Sequence, residues 1–197
     1  MPVFLMEAHY ELENVGRPPD YGTPLVLRRE EYWAMLTGGK GQFYGNMYTW
    51  SFKPGWQDNI DTPGVTQLTI WKDFFSGLPW QDLVPDQDYS VVTAGFGTYG
   101  DMQTPVSKSD YATASKTPDG SYVVAYMPTP RTITVNMASL KAPAKAQWFD
   151  PTNGAYTKVP GGPIANTGTR QFTPPGNNHD GDGDWVLLLS ASGSTAP

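Results

Sequence analysis

Pro2-Val3-Phe4-Leu5-Met6-Glu7-Ala8-His9-Tyr10-Glu11 is an apolar run of strand length that stops at a carboxylate, with a second carboxylate four residues later. A run of Val, Phe, Leu and Met behind a Pro is the pattern of a strand buried on both faces, as in parallel sheets covered by helices. A carboxylate where such a strand ends lies at the rim of the sheet. In α/β barrels the rim at the C-terminal strand ends carries the chemistry. The pattern alone is equally compatible with Glu7 merely solvating a strand end.

The composition narrows the choice. Of 197 residues, 39% are hydrophobic, 13% aromatic and 16% charged. The chain can therefore bury a sizeable core in one domain or two small ones. High aromatic and low charged content suits a β-rich or α/β protein, and ring faces also suit sugars. Net charge is −6 without a Lys/Arg cluster, which disfavours nucleic acid and anionic membrane surfaces as partners. There is no Cys, and the two His residues, at 9 and 179, are far apart, so no metal-ligand pattern emerges. No apolar run reaches the length of a membrane span.

A composition boundary falls near Pro85-Asp86. All five Glu lie at or before Glu31, and residues 1–86 carry six basic against eleven acidic side chains. Residues 87–197 carry seven against eight. The first part reads as β-α-β-α, the repeating unit of a parallel sheet. After a Gly/Pro loop over 14–23, a helix is predicted over 28–37, stopped by Gly38-Gly39. An aromatic-rich strand follows over 42–50. A second helix opens at Thr62-Pro63 and presents Val65, Leu68, Trp71, Phe75 and Leu78 as an apolar stripe. Two strands cannot close a barrel, and these helices cannot bury their apolar faces alone.

The second part reads as all-β. Strands are predicted over 89–94, 111–115, 122–127, 132–136, 146–149 and 185–189, with a hairpin turn at Asp119-Gly120. Short strands at intervals of roughly ten residues suggest an antiparallel sandwich. The fold expected is thus α/β plus all-β, divided as 1–86, 87–190 and a disordered tail over 191–197.

Glu7, His9 and Glu11 point to one side of an extended strand. At about 3.3 Å per residue, Glu7 and Glu11 lie about 13 Å apart. A retaining glycosidase needs about 5.5 Å and an inverting one at most about 9.5 Å. They are not partners for each other unless the backbone turns sharply, and no later Asp or Glu has a comparable strand-end setting. The sequence offers half of a carboxylate site.

Pro2-Val3-Phe4-Leu5-Met6-Glu7-x-x-Tyr10-Glu11, then Arg28/Arg29-x-x-Tyr32-Trp33-x-x-Leu36-x-Gly38-Gly39-x-Gly41-x-x-Tyr44-Gly45-Asn46 and Trp50, resembles the last quarter of the apiosidase-like glycoside hydrolases. The remainder, with Tyr122-Val123-Val124-Ala125-Tyr126, Trp148-Phe149-Asp150-Pro151-x-x-Gly154, Phe172-x-Pro174-Pro175 and Asp184-Trp185-Val186-Leu187, resembles the sandwich that follows in those proteins and is named a collagen-binding domain. The resemblance implies the last two βα units of a (β/α)8 barrel followed by the sandwich. It implies Glu7 as the nucleophile at the end of the seventh strand, with the acid/base carboxylate on a fourth strand that this chain lacks. Tyr10 and Glu11 would shape the sugar subsite and Trp50 would form its wall.

The partners implied are a carbohydrate substrate of plant-cell-wall type and the missing N-terminal barrel portion. No cofactor or metal is called for, and the setting expected is extracellular or periplasmic. This chain alone is expected to be inactive. The rival reading is a non-catalytic carbohydrate- or protein-binding module built on the sandwich.

Three smaller readings complete the set. His9 is expected as a loop or supporting residue. Arg28 and Arg29, at a helix start, are expected as surface charges. Asn178-His179-Asp180-Gly181-Asp182-Gly183-Asp184 has the acidic alternation of a calcium loop, but both registers miss the Glu at position twelve. A solvated turn is expected there.

Overall fold

The computed structural model describes residues 3–13, 21–101 and 103–194. Strand β1 (Tyr10–Glu11) pairs in parallel with β2 (Gly45–Asn46) across helix α1 (Pro24–Leu36), and helix α2 (Pro63–Ser76) follows. A parallel bridge between Leu5 and Gln42 extends this pairing backwards. The β-α-β-α order expected from the sequence is present. Of the Gly/Pro loop, residues 14–20 lie outside the described residues.

The remaining strands are β3 (Val84–Pro85), β4 (Val92–Ala94), β5 (Thr113–Lys116), β6 (Tyr122–Met127), β7 (Ile133–Asn136), β8 (Ala144–Phe149), β9 (Tyr156–Lys158), β10 (Thr169–Phe172) and β11 (Trp185–Ala191). They form a six-stranded sheet ordered β3-β5-β6-β11-β8-β9 and a three-stranded sheet ordered β10-β7-β4. All these pairings are antiparallel. The Asp119-Gly120 hairpin joins β5 to β6, with Gly120 in the left-handed region at φ 71°. Strands β9 and β10 were not anticipated, because Tyr156–Lys158 and Thr169–Phe172 are short and carry little apolar alternation.

Side-chain alternation in β6 and β11 explains how the two parts join. Val123, Ala125, Met127, Trp185, Leu187 and Leu189 face the smaller sheet and fill the sandwich interior. Their neighbours Tyr122, Val124, Tyr126, Val186 and Leu188 point the other way. There they meet Tyr32, Met35 and Leu36 of α1 and Phe74 and Phe75 of α2. Tyr32 stacks on Tyr126 at 4.9 Å between centroids, and Phe74 packs on Phe149 at 4.6 Å. The central strands are therefore buried on both faces, and every residue of β11 is buried.

Four expectations change. The strand at the start of the chain, expected to be buried on both faces, leaves Val3, Phe4 and Met6 at 60%, 48% and 68% exposure. It is paired along one edge and α1 lies beside it, yet these three side chains remain open among the described residues. The helix predicted over 28–37 begins at Pro24, where the Thr23 hydroxyl accepts the Val26 N–H at 3.3 Å. In α2 the buried residues are Gly64, Gln67, Phe74 and Phe75, while Val65, Leu68 and Trp71 are half-buried. The large sheet dictates which face turns inward, and it engages Phe74 and Phe75. Finally, Ala191, assigned to a disordered tail, is a buried strand residue opposite Ala144; residues 195–197 lie outside the described residues.

Candidate active site

The parallel pairing is out of step in a way that matters. Leu5 faces Gln42 and Tyr10 faces Gly45, so five steps on one strand match three on the other. Residues 6–9 leave the ladder, and Glu7 stands exposed within that excursion. Its carboxylate makes no hydrogen bond or ion pair with the described residues. His9 anchors the excursion instead. Its N–H donates to Glu30 Oε2 at 3.1 Å, and its Nδ1 lies 2.7 Å from Glu30 Oε1 on α1. That matches a supporting residue.

Beyond the excursion, the Tyr10 ring lies over its strand partner Gly45, where a Cβ would fall 2.4 Å from the ring. Glycine is therefore required by the close approach. The Tyr10 ring meets Trp50 edge-on, with centroids 6.3 Å apart at 72°. Trp50 is 59% exposed and sits in the turn after β2 instead of within the long strand expected. Tyr10 and Trp50 are thus brought together at one end of the parallel pair.

Glu11 is placed differently from what the resemblance implies. It is buried, and its Oε1 accepts the Gly64 N–H at 2.9 Å. Its Oε2 accepts the hydroxyls of Tyr44 and Thr62. A Cβ on Gly64 would come within 2.5 Å of that carboxylate. Glu11 is thus seated on the N-terminus of α2, where orphan N–H groups and the helix dipole favour an anion. The Tyr44 phenol is pushed up to about 12, by burial and by its hydrogen bond to Glu11. Buried and accepting three donors, this carboxylate organises the start of the helix.

Arg28 and Arg29 are both buried, contrary to their expectation as surface charges. Arg28 forms a fork with Asp184, Nε to Oδ2 and Nη2 to Oδ1, both at 2.9 Å. It also donates to Asp182 and Gln67, each at 2.6 Å. Asp184 further accepts from Tyr126 at 3.0 Å and from Asn178 at 2.8 Å. Arg29 donates to the carbonyls of Val106, Ser109 and Pro128. The turn before β11 is solvated at residues 179–181, but its carboxylates are committed: Asp180 accepts from Gln67, while Asp182 and Asp184 accept from Arg28. Those carboxylates address a guanidinium and an amide on the helices. Sequence reasoning missed this because the partners stand 156 residues apart.

One buried group has no such provision. Glu31 is pushed up to about 8 by burial, and neither carboxylate oxygen has a hydrogen-bond partner among the described residues.

The architecture is a parallel β-α-β-α segment with a strand-end carboxylate, docked on the outer face of an antiparallel sandwich. Residues 1–82 match the family model described as "Apiosidase-like, catalytic domain", and residues 101–190 match that described as "Putative collagen-binding domain of a collagenase". The chain is similar to apiosidase-like glycoside hydrolases in their C-terminal part and to the sandwich domain that follows.

Among solved structures, a glycoside hydrolase family 5 protein from Bacteroides vulgatus ATCC 8482 superposes with a TM-score of 0.79 at 22% identity, covering 99% of this chain and 44% of that one. A second glycoside hydrolase gives 0.73 at 23% identity, covering 98% and 43%. The chain thus spans less than half the length of these structures, and the likeness establishes the fold. No curated protein matches. Among the described residues no helix is long and apolar enough to cross a membrane.

Proposed function

We propose that this chain forms the C-terminal portion of a retaining glycoside hydrolase acting on polysaccharide of plant-cell-wall type. Residues 1–86 would supply the last two βα units of a (β/α)8 barrel, with Glu7 as nucleophile. The observation that carries the reading is the state of the first strand. Glu7 is exposed and uncommitted where the strand leaves its ladder, and the apolar side chains beside it lie open. Such a strand is what remains when neighbouring barrel strands are supplied by another part of the molecule.

The chemistry follows from one carboxylate. A Glu7 oxygen attacks the anomeric carbon as the glycosidic bond breaks, and an acid from outside this chain protonates the departing oxygen. Water then cleaves the glycosyl-enzyme ester, aided by the same residue acting as base, and Glu7 is released as carboxylate. Tyr10 and Trp50 form an aromatic wall beside the sugar. Glu11 serves by seating α2 and is not among the sugar-binding groups. Extracellular or periplasmic placement follows from the substrate class proposed.

The test is made on the whole protein. Glu7→Ala lowers glycosidase turnover on the order of 10⁴-fold or more. Azide added to that variant restores turnover and yields a glycosyl azide of inverted configuration. A Glu7→Ala variant as active as its parent overturns the assignment. The 197-residue chain alone is expected to turn over no glycoside.

A further inference from the structure

A second aromatic cluster lies far along the chain from Glu7. The loop between β4 and β5 and the turn before β4 carry Tyr89, Phe96, Tyr99 and Tyr111. Tyr89 stacks on Phe96 at 4.5 Å between centroids and 25°. Tyr99 meets Tyr111 edge-on at 5.3 Å, and the Tyr111 hydroxyl donates to that of Tyr89 at 3.3 Å. Core packing does not explain the set, because Tyr99 is 79% exposed and Tyr89 44%. Tyr89 is also held at φ 56°, in the left-handed region that side-chain-bearing residues rarely adopt.

The rings are held in place before any ligand arrives. Arg131 clamps the two ends of the loop, donating to the carbonyl oxygens of Gly95 and Asp110 and to Thr129 Oγ1 at 2.6 Å. The Ala112 N–H donates to Phe96 O at 2.8 Å. Asp86 accepts the N–H groups of Val91 and Val92 at 3.0 and 2.8 Å, which fixes the turn carrying Tyr89. On the other side, the Trp33 indole of α1 donates to Tyr111 O at 2.9 Å.

Two adjoining cavities of about 220 and 290 Å³ open here, and both are lined by Tyr99 and Tyr111. Among the described residues neither is lined by a Lys or Arg, while Asp86 lines the first. That charge pattern disfavours phosphate, nucleic acid and acidic glycans. Aromatic faces carry negative charge density that attracts C–H groups, and the phenols with Gln87 offer a hydroxyl-matching rim. A pyranose has an apolar C–H face and a polar edge.

We propose that this seam is a binding site for a neutral polysaccharide chain, stacked on Tyr89 and Tyr99 and independent of the Glu7 chemistry. It rests on the proposed function only for the choice of plant cell-wall glycans as probes.

The experiment is affinity electrophoresis of the 197-residue chain in gels containing xyloglucan, arabinoxylan or polygalacturonate. Retardation by at least one of the two neutral polymers is expected. Tyr99→Ala weakens it about tenfold, and so does Tyr89→Ala. Phe52→Ala, an exposed aromatic elsewhere, leaves retardation unchanged. Tyr99 is so exposed that its truncation does not threaten folding, which circular dichroism checks. Retardation by polygalacturonate alone, by neither neutral polymer, or by a neutral polymer with Tyr99→Ala unaffected overturns the proposal. So does retention on immobilised collagen in place of glycans. Failure of Glu7 as nucleophile would leave this binding intact, so the two readings fail separately.

Discussion

Two of the three sheets among the described residues, the six-stranded sheet and the parallel pair, obey opposite rules. In the six-stranded sheet, β6 and β11 carry apolar side chains on both faces and both faces are covered, one by the smaller sheet and one by α1 and α2. In the parallel pair at the start of the chain, the side chains are equally apolar, yet Val3, Phe4 and Met6 stand in solvent. The same kind of sequence therefore ends in opposite environments. A buried strand requires two covering layers and two neighbours, and apolarity in one strand cannot supply them.

The seam under the large sheet also concentrates the polar costs. Arg28 is enclosed, and its charge is tolerated because Asp184 and Asp182 meet it in forked and single contacts. Removing one partner of such a pair leaves a buried uncompensated charge, at a cost of about 3–5 kcal/mol. Asp184→Ala is thus expected to lower the unfolding free energy by about that amount in urea titrations. An effect below about 1 kcal/mol, on the scale of an exposed ion pair, would place the seam on the same footing as the open strand.

A smaller loss is expected where the parallel pair is tied down. Glu11→Ala removes the acceptor of the Thr62 hydroxyl and Gly64 N–H at the start of α2 and of the Tyr44 hydroxyl, and is expected to cost about 1–3 kcal/mol. If Glu11 served the sugar alone, stability would not move.

The Glu31 carboxyl sharpens the contrast through pH. Its pKa in the folded state is raised to about 8 by burial, so between the ordinary carboxyl range and pH 8 the folded protein holds a proton that the unfolded chain has released. Stability contributed by this group is therefore full at low pH and falls as pH rises towards 8. Unfolding curves across pH 5–8 should show that decline, flattened in Glu31→Gln. An equal slope in both proteins would detach the effect from this residue.

The smallest effect is expected on the open strand. Phe4→Ser should change the stability of this chain by no more than about 0.5 kcal/mol, as for surface positions, while reducing its tendency to associate. A loss above 2 kcal/mol would mean that the strand is covered in solution and the two sheets do not differ.

Much of the architecture was legible in local chemistry. The Thr62-Pro63 start of α2, the Asp119-Gly120 hairpin and the alternation across Ile133–Asn136 depend on neighbours within a few residues, and all appear where expected. The candidate site was legible in part. The run from Val3 to Glu7 marks a strand end, but its two-residue excursion from the ladder comes from pairing with residues 42–45. The burial of Glu11 likewise depends on Thr62 and Gly64, and that of Arg28 on Asp184, partners no local pattern announces.

By itself, then, the sequence determined the β-α-β-α order of the first part, the composition boundary near Pro85 and the carboxylate closing the first apolar run, because turn chemistry, caps and periodicity act over a few residues. Only the tertiary structure decided which carboxylates are consumed by packing and which stays available. Asp184 and Glu11 are held by donors from distant segments, whereas Glu7 meets none among the described residues. A carboxylate's task follows from which groups the fold brings to it, and that is set by contacts across the chain.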